Sequence, residues 1–162
     1  MDLLVKLYEL PPLAPAIAKL EATGARIHRP IGPELAMVRN WVEKKFNDRW
    51  SSEVEMAFSG GHPISCFVAL DQQSDIIGFA CYNSTFKGFF GPTGVDDGWR
   101  GMGVGTGLLM RCLHALREDG YAYGIIGFSA LDEFYKSAVG AIPIPDSEPG
   151  PYGGRIRIPD QS

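Results

Sequence analysis

Between Val95 and Gly107 the chain reads Val95-Asp96-Asp97-Gly98-Trp99-Arg100-Gly101-Met102-Gly103-Val104-Gly105-Thr106-Gly107. Glycines at this spacing offer a ligand backbone rather than side chains. The pattern around them predicts a strand before the turn and a helix after it. The first N–H groups of that helix have no intrahelical acceptors, and the helix dipole favours an anion there. Glycine lets the main chain approach a pyrophosphate with no Cβ in the way. Two well-known phosphate motifs do not fit. A G-x-G-x-x-G frame begun at Gly101, Gly103 or Gly105 meets Thr106, Leu108 or Met110 where the last glycine belongs, and no Gly-Lys-Ser/Thr occurs in the chain. A tight connection with no ligand is the competing explanation. Against it, each glycine placed inside a helix costs up to about 1 kcal/mol relative to alanine.

The elements that must hold this turn follow from periodicity and punctuation. Leu3 to Tyr8 predicts a short strand ended by Pro11-Pro12, and Ala14 to Glu21 a helix closed by Gly24. Ala25 to Pro30 predicts a second strand. Pro33 opens a helix from Glu34 to about Phe46, with Leu35, Val38, Val42 and Phe46 on one face. Ser52 and Glu55 form the pattern of a capping box for the next helix. Ile64–Leu70 and Ile76–Tyr82 predict a hairpin around Asp71–Asp75, and Phe89–Val95 a strand interrupted by Gly91-Pro92. A helix follows from Val104 to Glu118, where Val104, Leu108, Cys112 and Leu116 share a face. Tyr121–Phe128 predicts a strand and Leu131–Val139 a helix, with Ala141–Ile144 and Arg155–Ile158 as closing strands. This order specifies a mixed α/β (α+β) fold with helices on both faces of one sheet.

Composition narrows the partners. The 162 residues are 45% hydrophobic and 21% charged, enough for one packed domain. A net charge of −4 with no cluster of Lys/Arg argues against a nucleic-acid partner and leans toward a cationic small molecule. Three scattered cysteines make no disulfide framework, and the three histidines have no metal-ligand spacing, so no metal is expected. No apolar stretch approaches the roughly 20 residues needed to span a bilayer. The N-terminus has no basic, then apolar, leader pattern. A cytoplasmic protein with reduced thiols and no membrane partner is the expectation.

Arg100-Gly101-Met102-Gly103-Val104-Gly105 resembles the R/Q-x-x-G-x-G/A signature of the GCN5-related N-acetyltransferase (GNAT) superfamily, and Phe134-Tyr135-Lys136-Ser137-Ala138-Val139-Gly140-Ala141 resembles that family's tyrosine-bearing segment. The likeness runs from about Ala25 to Ile158. It implies a mostly antiparallel, twisted sheet splayed between the family's fourth and fifth strands. It also implies acetyl-CoA, or another acyl-CoA, as co-substrate, bound by Gly94, Val95, Arg100, Gly101, Met102, Gly103, Val104, Gly105 and Thr106. Gly91, Pro92 and Gly94 suit a strand with a bulge, one unpaired flank and a ligand close to its backbone. Residues 25–162 would form the acyl-CoA-binding domain. Residues 1–24 would be a strand–helix extension packed on it, either covering a sheet edge or making a homodimer contact.

The same resemblance makes Tyr135 the general acid. A phenol with a pKa near 10 stays protonated at neutral pH and can give its proton to a departing thiolate, whose thiol pKa is about 8.5. The family usually places its glycine four residues after the tyrosine, whereas Gly140 is five after Tyr135. The base stays open. Asp96 is the carboxylate nearest the acyl-binding strand, with Asp97, Glu53, Glu55, His62 or a water chain as alternatives. Trp41, Trp50, Phe58 and Tyr82 either shape an acceptor pocket or fill the core. The implied activity is N-acetyl transfer to a small-molecule primary amine. A non-catalytic acyl-CoA-binding module is the alternative, and the tyrosine favours the enzyme.

Overall fold

The structure is a computed structural model that describes residues 1–159. Its centre is a hairpin of β3 (Cys66–Leu70) and β4 (Ile76–Tyr82). Asp71 turns this hairpin by accepting hydrogen bonds from the backbone N–H of Gln73 and Asp75 at 2.9 and 3.0 Å. Both strands are apolar throughout because both sheet faces are covered. Cys66, Val68 and Leu70 face one core, and Phe67 and Ala69 face the other.

The sheet extends outward from this hairpin in the order β2-β3-β4-β5-β6-β1-β7. β2 is Arg26–His28 and β5 is Phe89–Val95, both antiparallel to their hairpin neighbours. β6, Tyr123–Ile126, runs parallel to β5. β1, Leu3–Lys6, is antiparallel to β6, and β7, Ile142–Pro143, pairs with β1 at the edge. The N-terminal strand is therefore interior to the sheet. Arg155–Ile158 forms no strand, contrary to its apolar alternation. The place beside β6 is already taken by Leu3–Lys6, whose Leu3 and Val5 are fully packed in the core.

Helices α1 (Leu13–Glu21) and α4 (Val104–Glu118) cover one face, while α2 (Leu35–Lys45) and α3 (Asp48–Ser59) cover the other. Helix α4 is the main beam. Leu108, Leu109, Leu113 and Leu116 are all buried on it, and losing any one to alanine would cost about 2–5 kcal/mol. Helix α3 starts five residues earlier than the Ser52–Glu55 pattern implies. Asn47 caps it by accepting from Trp50 N at 2.9 Å, and Ser52 lies inside the helix, donating to Asp48 O. The short helix α5 (Asp132–Val139) ends on Gly140 in the left-handed conformation. Among the described residues no helix is long and apolar enough to cross a membrane. The three thiols are buried and unbridged.

Candidate functional site

Strand β5 hands the chain to the glycine turn. Asp96 N donates to Ile77 O at 2.8 Å, a short 3-10 turn spans Asp97–Trp99, and the backbone then passes through Gly101 (φ +77) and Gly103 (φ +86) into α4. Positive φ explains glycine at those two positions. Gly103 provides no side-chain cap, and Gly107 N is the donor that reaches back to Gly103 O. The N–H groups of Val104, Gly105 and Thr106 are thus left without helical acceptors and with a favourable dipole. Gly105 lies 3.7 Å from the Val95 side chain at the place a Cβ would occupy, so the turn is packed directly on the end of β5. Arg100 Nε donates to Asp97 Oδ1 at 2.9 Å, and its side chain is 66% exposed. The cation that sequence reasoning missed is Lys19 on α1. Its stem passes 3.7 Å from where Gly103 would carry a Cβ, and it makes no salt bridge among the described residues. Only the packing of α1 on α4 brings it there.

The sheet forks beside this turn. β5 and β6 pair at Phe89↔Ile125 and Phe90↔Ile126 and no further. Beyond Phe90, β5 keeps only β4 as a partner, with a register shift opposite Ala80–Tyr82 that leaves Pro92 where no ladder donor is required. Asp96 N bonds to Ile77 O and Gly94 pairs with Phe79. Ladder alternation therefore turns the N–H and C=O of Thr93 and Val95 toward the open flank. Gly91 (φ +115) has nothing within 4 Å of a notional Cβ, whereas at Gly94 that atom would lie 2.3 Å from Phe46 Cζ. The Phe46 ring crosses Gly94 and leaves no room for a side chain there.

Tyr135 stands at the vertex of the fork. Its ring meets Phe90, the last β5 residue paired to β6, edge-on at 6.3 Å, and Phe134 at 5.1 Å. The residue is 7% exposed. Its hydroxyl has no hydrogen-bond partner among the described residues, yet no buried side-chain oxygen there is left unpartnered, so this hydroxyl reaches accessible space. Burial alone raises its pKa above the ordinary phenol value. The loop Ser129–Phe134 beside it lines an open hollow of about 450 Å³.

The opposite side of the fork is assembled from distant segments. Phe89 points away from Phe90 and meets Phe86 at 5.0 Å; Tyr152 meets Phe86 at 6.0 Å and Phe128 at 5.7 Å. Phe128 has φ +53, and its N–H donates to Asp2 Oδ1 at 3.0 Å. That contact is how the N-terminal strand fixes this loop. Glu53 of α3 accepts from Thr85 Oγ1, and burial raises its pKa above the usual carboxylate range despite that hydrogen bond. Tyr152 is raised as well, by burial first and then by the charges of Asp2 and Glu53. Apart from Glu53, the sequence pattern marked none of these residues, because no local signal links positions 2, 86, 128 and 152.

Asp96 does not join this group. It lies six residues beyond Phe90, about 20 Å along a strand. Lys45 Nζ sits 2.7 Å from its carboxylate and lowers its pKa, which weakens it as a proton acceptor. Glu55 pairs with Arg39 at 3.1 Å. Trp41, Trp50 and Phe58 pack against the core on the α2–α3 face, and Tyr82 is buried against Phe67 with its hydroxyl accepting from Arg29 at 2.9 Å. Among the described residues no group of His, Cys, Asp and Glu could hold a metal ion.

A model of the Acetyltransferase (GNAT) family matches residues 35–140. None of the curated proteins matches the sequence. Among solved structures, the chain is similar to the GCN5-related glucosamine N-acetyltransferase region of a fungal multi-domain GH3 β-N-acetylglucosaminidase, with a TM-score of 0.70 and 15% identity over 85% of this chain and 19% of that one. It is also similar to a GCN5-related N-acetyltransferase from Sphaerobacter thermophilus, with a TM-score of 0.64 and 19% identity over 87% of this chain and 47% of the other. A third is a GNAT family N-acetyltransferase from Escherichia coli in complex with CoA, with a TM-score of 0.50 and 22% identity over 61% and 59% of the two chains. The chain spans less than two thirds of each of these proteins.

Proposed function

The chain belongs to the GNAT acetyltransferase family, and from that premise we propose that it moves an acetyl group from acetyl-CoA to a primary amine by direct attack at the fork. The observation that carries this reading is the single open flank of β5, bounded at one end by the glycine turn and at the other by Tyr135. The E. coli relative in complex with CoA supports the choice of co-substrate.

Each part of the chain then has a task. The amides of Val104, Gly105 and Thr106 receive the pyrophosphate, and Lys19 adds a mobile positive charge beside it. The N–H and C=O groups of Thr93 and Val95 pair with the pantetheine amides as an added strand would. Acetyl-CoA brings an already activated thioester, so the protein needs to position it, polarise its carbonyl and manage two protons. The amine nitrogen bonds to the carbonyl carbon as the carbon–sulfur bond breaks. The Tyr135 hydroxyl gives its proton to the departing sulfur, and the proton lost by the amine passes to water. A phenol raised by burial holds its proton at neutral pH and is available there as the acid.

Calorimetric titration with acetyl-CoA, and separately with ATP and NAD, is the first test. Micromolar binding of acetyl-CoA alone is the expected result, and thiol release with amines then measures turnover. No response to acetyl-CoA would overturn the reading. Binding without release of CoA toward any amine would make the chain an acyl-CoA-binding module instead.

A further inference from the structure

We infer that the face of the fork opposite Tyr135 is an acceptor site for small amines carrying a second positive group, which is held against Phe86 and Tyr152 with Glu53 as counter-charge. This deepens the acyl-transfer reading and rests on it for the chemistry, although the cation site stands on its own geometry. The rings converge from three separate segments. Phe86 and Phe89 come from the β4–β5 connection and the start of β5, Phe128 from the residues just beyond β6, and Tyr152 from the loop after β7. Tyr152 is tight against the fork itself, its hydroxyl 2.2 Å from where Gly127 would carry a Cβ. Ring faces presented this way attract a cation through their quadrupoles.

The chain itself places a cation on this face. The Arg155 guanidinium lies 5.2 Å from the centroid of Phe86. Its Nε and Nη2 both donate to Pro151 O, and it makes no salt bridge among the described residues. The surrounding charge matches. Asp2 and Glu53 are both near enough to Tyr152 to act on its hydroxyl. Asp2 is 4% exposed and committed to the N–H of Phe128. Among the described residues the Glu53 carboxylate has Thr85 as its one side-chain donor. Two carboxylates, Asp2 and Glu53, thus stand beside the rings that the Arg155 guanidinium approaches.

Chemistry then decides which nitrogen the face can hold. The attacking amine must be neutral, and a site that stabilises a cation would keep it protonated. The group held on the rings is therefore a different one, several bonds from the nitrogen that reaches the thioester. An amine with a terminal guanidinium or second ammonium meets both demands, and displaces Arg155 when it binds.

The test is calorimetric titration of the protein, without CoA, by agmatine, cadaverine and pentylamine. Agmatine and cadaverine should bind about tenfold more tightly than pentylamine. Glu53→Gln and Phe86→Leu should each remove most of that margin, and Arg155→Ala should tighten agmatine severalfold by vacating the rings. In coupled thiol-release assays agmatine should show the lower KM, and the KM difference should vanish in Glu53→Gln. Equal affinity for agmatine and pentylamine would overturn the inference, as would unchanged agmatine binding in the folded member of the Glu53→Gln and Phe86→Leu pair. Acetyl-CoA titrated into the same samples separates the two readings. Failure to bind it refutes acyl transfer while agmatine binding is judged independently, and acetyl-CoA binding with no preference among amines refutes the cation site alone.

Discussion

The glycine turn offers an incoming ligand main-chain amides and few side chains, whereas the far face of the fork offers rings and carboxylates and little free backbone. The turn is one contiguous stretch, Arg100–Thr106, set by two positive-φ glycines at the head of a well-buried helix. The far face draws on residues 2, 53, 86, 89, 128 and 152, which only the finished fold brings together. Backbone sites tolerate side-chain exchange but fail when the conformation changes. Side-chain sites behave in the opposite way, and the common co-substrate belongs to the first kind and a particular acceptor to the second. Tyr135 lies at the vertex and belongs to neither, so its loss should produce the largest effect. Tyr135→Phe is expected to lower turnover on the order of a hundredfold while acetyl-CoA affinity stays within about twofold. Its pKa is raised by burial, so the loss of rate that follows deprotonation of the acid should appear only above pH ~10 in wild type. Wild-type turnover that falls near neutral pH through an acid still present in the variant would remove Tyr135 from that role.

The next largest effect breaks the backbone side of the comparison. Gly103 has φ +86, where a β-branched residue is strained by about 1–2 kcal/mol whatever the space around it. Gly103→Val should therefore weaken acetyl-CoA about tenfold without touching agmatine binding. Equal losses for both ligands would mean a general disturbance and would blur the distinction. Gly94→Ala works differently. Its Cβ would meet Phe46 at 2.3 Å on the α2–α3 face, so overpacking of about 1–3 kcal/mol should appear as a lower melting temperature. Acetyl-CoA affinity of the folded variant should be retained. A fall in affinity with unchanged melting would restore Gly94 to the ligand.

This contrast also explains what was legible beforehand. The boundaries of β4 and α4 follow from apolar runs and glycine stops, because those elements are buried on one or both faces and their patterns are unambiguous. The turn was legible because all its determinants are neighbours in sequence. The capping box at Ser52 misled because Asn47, an equally good cap, stands upstream and takes the role. Arg155–Ile158 misled because alternation says a segment can be a strand but not whether a sheet position is free. Leu3–Lys6, with Leu3 and Val5 in the core, already filled it. Asp96 attracted attention by adjacency to the turn, while its partner Lys45 lies 51 residues away and its field could not be read locally.

Lys19 sharpens the comparison by being its exception, a side chain serving the backbone-built site. Its stem rests by Gly103, its charge is exposed, and it answers no carboxylate among the described residues. An exposed charge acting on phosphates through water is worth little, so Lys19→Ala should weaken acetyl-CoA only about threefold at low salt. That difference should fade as ionic strength rises, because a Debye length of about 10 Å at 0.1 M screens exposed charges more than it screens the turn amides. Pantetheine, which lacks the phosphates of CoA, should bind wild type and Lys19→Ala alike. If pantetheine binding fell equally, α1 would be shaping the fork through packing rather than lending charge to the turn. The clean division between a main-chain site and a side-chain site would then have to give way to one in which the N-terminal residues support both.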